Sequence, residues 1–189
     1  MASLNVLITV PQPLRGTILT TEAYDRLCSF ARVTMNEDGR NWAGPEIAAR
    51  LQGVDAMITG WGIVPLTEEV LAGADLLRLV AHAAGSVKGF ATAAVFDRGI
   101  AVSHAAARIA ESVAEFTLAV VMAGLRRPQD FDRRMRAGEA WPKVTDTLTY
   151  EVAGKRVGLL GMGYVGRCSA RLFRAVGAEV WAFDPYLTP

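Results

Sequence analysis

Gly161, Gly163 and Gly166 stand as G-x-G-x-x-G, and Asp184 follows twenty-three residues after the first of them. This spacing has a chemical meaning when an apolar strand precedes the glycines and a helix follows. Gly161 permits a tight turn, Gly163 lets the backbone approach a pyrophosphate, and Gly166 lets the helix pack closely on the strand. The phosphates then face the amides at the helix start, including those near Tyr164 and Val165, where the helix dipole is positive. Asp184, with Pro185 behind it, closes the next apolar run. A carboxylate there accepts hydrogen bonds from an adenosine ribose and repels an added 2′-phosphate, so the pattern favours NAD over NADP.

The elements needed to hold these residues are legible around them. The segment "GKRVGLLGMGYVGRCSARLFRAVGAEVWAFDPY" reads as a strand over 156–160, a glycine turn, a helix over about 164–176 stopped by Gly177, and a strand over about 179–183. This is a βαβ unit. Upstream, β-type runs at 4–10, 31–35, 55–60, 77–83 and 100–103 alternate with the helix-like stretches "TEAYDRLCSF", "PEIAARLQ", "LTEEVLAG" and "ATAAVFDRG". Alternation of this kind predicts an α/β fold with a parallel sheet covered by helices. Several of the runs are apolar on consecutive positions, as expected of strands buried on both faces.

Between these regions, "ESVAEFTLAVVMAGLRR" (111–127) predicts a helix starting near Ser112, with Ser112 and Glu115 spaced as a capping box. It is apolar almost all round, which predicts burial, and Pro128 limits its continuation. A second helix is expected over Asp130–Arg136. Its arginines alternate with Asp130, Asp132 and Glu139, the pattern of a solvated face more than of an anion site. Residues 140–153 lack periodicity and read as a loop.

Composition narrows the function classes. Of 189 residues, 51% are hydrophobic and 21% charged, which suits a globular chain with a real core. Twenty Lys and Arg against nineteen Asp and Glu, spread along the chain, leave no nucleic-acid footprint. The longest apolar run, "LAVVMAGL", is too short to span a membrane, and "MASLNVLITVP" lacks the basic start of a secretory leader. Cys28 and Cys168 have neither zinc spacing nor a disulfide framework, so no metal is expected and a reducing, cytoplasmic setting fits best. His82 and His104, both at expected strand ends, have no carboxylate partner in view and read as structural more readily than as an acid/base pair.

Three segments, in order and in spacing, resemble the D-isomer-specific 2-hydroxyacid dehydrogenases. They are "LRLVAHAAGSVKGF" followed by "DRGIAVS", "ESVAEFTLAVVMAGLRR" with "RRMRAGEAW" after it, and "GKRVGLLGMGYVGR" leading to "VWAFDPY". The resemblance covers most of residues 55–189. It implies a flavodoxin-like substrate-binding domain over 1–106, then an interdomain helix and the start of an incomplete Rossmann NAD-binding domain over 107–189. It implies that the loop Ala84, Gly85, Ser86, Val87 offers backbone amides to a substrate carboxylate, an arrangement that small residues at a strand end make physically reasonable. Where the family has Gly-Val-Asp, this chain reads Ser86-Val87-Lys88.

The implied activity is hydride transfer between NAD(H) and a small 2-hydroxy or 2-keto acid. The implied full-length parent is a homodimer without nucleic-acid or membrane partners. Family members use an arginine and a Glu–His pair that follow the ribose-binding acid, and the chain stops five residues after Asp184. No catalytic residue is therefore carried over, and 189 residues alone are expected to be inactive. Two alternatives are a non-catalytic NAD-binding module and half of a split enzyme. The second is motivated by the apolar sheet edge that a single βαβ unit leaves unpaired.

Overall fold

The computed structural model describes residues 4–143 and 148–187, and the expected loop over 140–153 lies partly outside them. The chain divides into two compact units, Met1–Ala106 and Ala107–Pro189.

In the first unit, strands β1 (Leu4–Ile8), β2 (Ala31–Met35), β3 (Ala56–Thr59), β4 (Leu79–His82) and β5 (Ala101–His104) form one sheet in the order β2-β1-β3-β4-β5. Every pairing is parallel. This is the flavodoxin-like order. Burial on consecutive positions, expected of several strands, holds for β1 at Val6–Ile8; β3 and β4 alternate and β5 is largely exposed. The intervening helices are α1 (Leu14–Ile18), α2 (Thr21–Cys28), α3 (Gly44–Ala48), α4 (Glu68–Leu71) and α5 (Ala93–Asp97). Apart from α2, each is a single short turn or so, briefer than the sequence suggests, and α1 is too brief to leave a periodic signal. Leu7, Met57 and Val80 from the sheet pack with Ile47, Leu51, Leu66, Leu71, Phe90 and Val95 in one core. The turn into α3 is held by Glu46, which accepts the Ala43 N–H at 2.8 Å and pairs with Arg40 at 2.7 Å. Together these contacts lower its carboxyl to about 2, the Arg40 hydrogen bond being the larger cause.

Helix α6 spans Ala106–Arg126, so it begins six residues before Ser112, and Ser112 and Glu115 lie within it. Its start is set instead by His104, whose Nδ1 accepts the Ala106 N–H at 3.2 Å. An S-x-x-E spacing is also the spacing of neighbours one turn apart inside any helix, so it does not locate an end by itself. The expectation of all-round burial fails as well. Only Ala110 and Ala114 are buried, and Phe116 is 69% exposed. One face, carrying Leu118, Val121 and Leu125, finds a core, whereas Val113, Phe116 and Val120 are exposed.

Arg127, at φ 52, breaks the helical path, and α7 (Pro128–Arg136) follows with Pro at its first position. Its arginines pair with Asp130, Asp132 and Glu139, the solvated pattern expected.

The rest of the second unit is β6 (Arg156–Leu160), α8 (Tyr164–Ala175) and β7 (Glu179–Phe183), with β6 and β7 parallel in a two-stranded sheet. Phe173 from α8 is the centre of its core with Val152 and Ala178, against which Leu118, Val121, Leu125, Val157 and Val180 pack. Gly177, at φ 83, ends the helix in the left-handed conformation that favours glycine.

Candidate functional site

The glycine turn sits between β6 and α8. Gly161 has φ 95, and its N–H donates to the Phe183 carbonyl at 2.7 Å, tying the turn to the end of β7. A Cβ on Gly166 would lie 2.1 Å from the Gly161 carbonyl oxygen. The third glycine is therefore required by contact with the turn itself, a closer constraint than general helix–strand packing. Gly163 differs, because a Cβ added there would meet nothing within 4 Å. It begins α8 without a side-chain cap. Among the described residues no protein acceptor takes the N–H groups of Gly163, Val165 or Gly166. Open space in front of these donors at a helix start is the geometry that a pyrophosphate fits.

Asp184 closes the other side of the turn. One carboxylate oxygen accepts the Met162 N–H at 2.6 Å and the other the Tyr186 N–H at 2.9 Å. These two bonds, with Arg167 nearby, hold its pKa below the usual carboxylate value, the Met162 bond first among the causes. The side chain is an anion at neutral pH and is fixed beside the turn that opens α8. Each oxygen keeps a further acceptor position for a ribose hydroxyl. The sequence marks Asp184 as a ribose acceptor but not as a clamp on Met162, since a backbone partner leaves no trace in residue identity. Pro185 follows directly.

In the first unit, the loop after β4 carries the other group of expected residues. Ala84 is buried, Val87 half-buried and Ser86 exposed. The Ala84 carbonyl accepts the Ala105 N–H at 3.0 Å, and the Val87 carbonyl accepts the N–H groups of Phe90 and Ala91. Its N–H groups at Ala84, Gly85, Ser86 and Val87 have no acceptor among the described residues. Lys88 is exposed, its own N–H turned to the Ser86 hydroxyl at 3.4 Å.

His82 is buried. Its Nδ1 shares a hydrogen bond with the Thr59 hydroxyl at 2.8 Å, and its ring rests on Phe90 with centroids 4.6 Å apart. Burial lowers its pKa, with His104 adding to the effect, so the imidazole is neutral and serves the core beneath the loop. Among the described residues no group of three or more His, Cys, Asp and Glu could hold a metal ion.

Residues 118–189 match the family model for the D-isomer specific 2-hydroxyacid dehydrogenase, NAD binding domain. Over these residues the chain is similar to that domain. D-3-phosphoglycerate dehydrogenase of Mycobacterium leprae is 36% identical over 121 residues, 64% of this chain and 22% of that protein. Glyoxylate reductase of Korarchaeum cryptofilum is 31% identical over 141 residues, 73% of this chain and 42% of that protein. Among solved structures, the TT0316 protein of Thermus thermophilus superposes with a TM-score of 0.74 at 27% identity, over 98% of this chain and 58% of that one. The chain thus covers less than two thirds of each of these proteins. The family match falls on the glycine turn and Asp184, and the donors described above fit the dinucleotide that the family name specifies.

Proposed function

We propose that the protein acts in NAD-dependent hydride transfer between NAD(H) and a small 2-hydroxy or 2-keto acid. The observation that carries the reading is the open approach to Gly163, flanked by α8 amides on one side and by the Asp184 carboxylate on the other. In this reading the backbone of Gly161, Gly163, Tyr164, Val165 and Gly166 holds the pyrophosphate, and Asp184 with Pro185 holds the adenosine ribose. The N–H groups of Ala84, Gly85, Ser86 and Val87 hold the substrate carboxylate. NAD, when bound, supplies the hydride acceptor; this chain supplies orientation and charge complementarity.

The test is calorimetric titration with NAD and NADP, followed by NADH oxidation with glyoxylate or hydroxypyruvate. The expected result is saturable NAD binding, tighter than that of NADP, from the charge that Asp184 sets beside the turn. Failure to bind either dinucleotide would overturn the reading.

Asp184→Ala separates the ribose assignment from the rest. It removes a charge-assisted acceptor, so NAD affinity should fall about tenfold while preference over NADP is lost. Unchanged affinity for both would sink the assignment.

The exposed row Val113, Phe116 and Val120 on α6 supports homodimerisation of the protein. Phe116→Asp should weaken self-association roughly thirtyfold, measured by sedimentation, if that row is the centre of the contact. A cytoplasmic setting accords with two free cysteines. No helix among the described residues is long and apolar enough to cross a membrane. The outward Leu160, Trp181 and Phe183 of the two-stranded sheet favour a second reading, in which another polypeptide completes this sheet.

A further inference from the structure

Arg15 is 7% exposed, which is unusual for an arginine, and stands at the carboxyl ends of β1 and β2. One of its terminal nitrogens donates to the Asn36 carbonyl and the other pairs with Glu37 at 3.0 Å. The partner carboxylate is 68% exposed, so this buried cation is compensated from solvent and only on one side. Arg15 also lines a cavity of about 230 Å³. Gln12, Thr21 and Tyr24 give it polar groups, and Leu19 and Met35 give it apolar walls. Each terminal nitrogen of Arg15, engaged once, carries a second hydrogen available to a ligand.

We propose that this cavity is a second small-molecule site, which takes a compound with one carboxylate and a short aliphatic body. The guanidinium matches a carboxylate in geometry and charge. Leu19 and Met35 match the aliphatic part. The volume equals about seven or eight waters at about 30 Å³ each, too little for a nucleotide. The cavity shares no lining residue with the carboxylate nest after β4. A smaller apolar cavity shares Arg15 and Leu19 as walls and reaches Ala83.

The probe is isobutyrate, with isobutyramide as the uncharged control, added to the ¹⁵N-labelled full chain and followed by amide chemical shifts. Saturable shifts at Gln12, Gly16, Thr21 and Tyr24 with isobutyrate, at least tenfold weaker with isobutyramide, are the expected result. Gly16→Leu should abolish them, because Gly16 lines the cavity and a Cβ there meets only Gln12 Oε1, at 3.5 Å, so the longer side chain fills the space the ligand needs. Glu37→Gln removes the competing carboxylate and should tighten binding up to about fivefold. A purely structural Arg15 predicts no saturable shift and no response to Glu37→Gln. That outcome, equal shifts with the amide, or shifts confined to Gly85–Val87 would overturn the proposal.

Discussion

Gly163→Val is expected to reduce NAD affinity on the order of a hundredfold while leaving the fold intact. A Cβ on Gly163 would meet nothing within 4 Å, so the substitution does not press on the turn at its branch point. It does occupy the volume from which a pyrophosphate reaches the α8 amides. Displacing the phosphates costs about two charge-assisted hydrogen bonds at about 1.5–3 kcal/mol each, hence at least the factor named. Titration calorimetry gives the affinity, and an unchanged urea midpoint confirms that folding was spared. Gly166→Ala is the contrasting variant, since its Cβ would fall 2.1 Å from a backbone oxygen, and it should lose stability and binding together. If Gly163→Val binds NAD as the parent does, the pyrophosphate does not lie over this glycine.

Phe173→Ala is expected to destabilise the second unit by about 3–5 kcal/mol. Phe173 is 1% exposed and is the only large side chain fully buried among the described residues of that unit's core. Its neighbours come from α6, α8, β6 and β7, so the cavity left behind would be lined by elements that pack on little else. Differential hydrogen exchange should show the loss over 156–183, with Met57 and Val80 in the other unit unaffected. Equal loss in both units would mean that they unfold as one.

Much of this molecule is determined by residue order alone. Strand positions in the first unit follow from consecutive apolar residues, and the βαβ unit with its glycine turn follows from local conformational demands. Gly161 needs a positive φ, Gly177 ends a helix, and apolar periods of two and 3.6 set the strands and α8. Those are constraints that act over a few residues, which is why a sequence records them.

Tertiary structure decided the rest. The start of α6 is set by His104 Nδ1, outside the S-x-x-E pattern that pointed to Ser112. The exposure of Phe116 depends on which helix face finds a partner, and the apolar content of the helix is silent about that. Asp184 acts on Met162, twenty-two residues earlier, only because β7 returns beside β6. The cavity beside Arg15 arises where α1, α2 and β2 meet at the sheet end. Each depends on groups brought together across the chain, and residue types at fixed spacing carry no record of that approach.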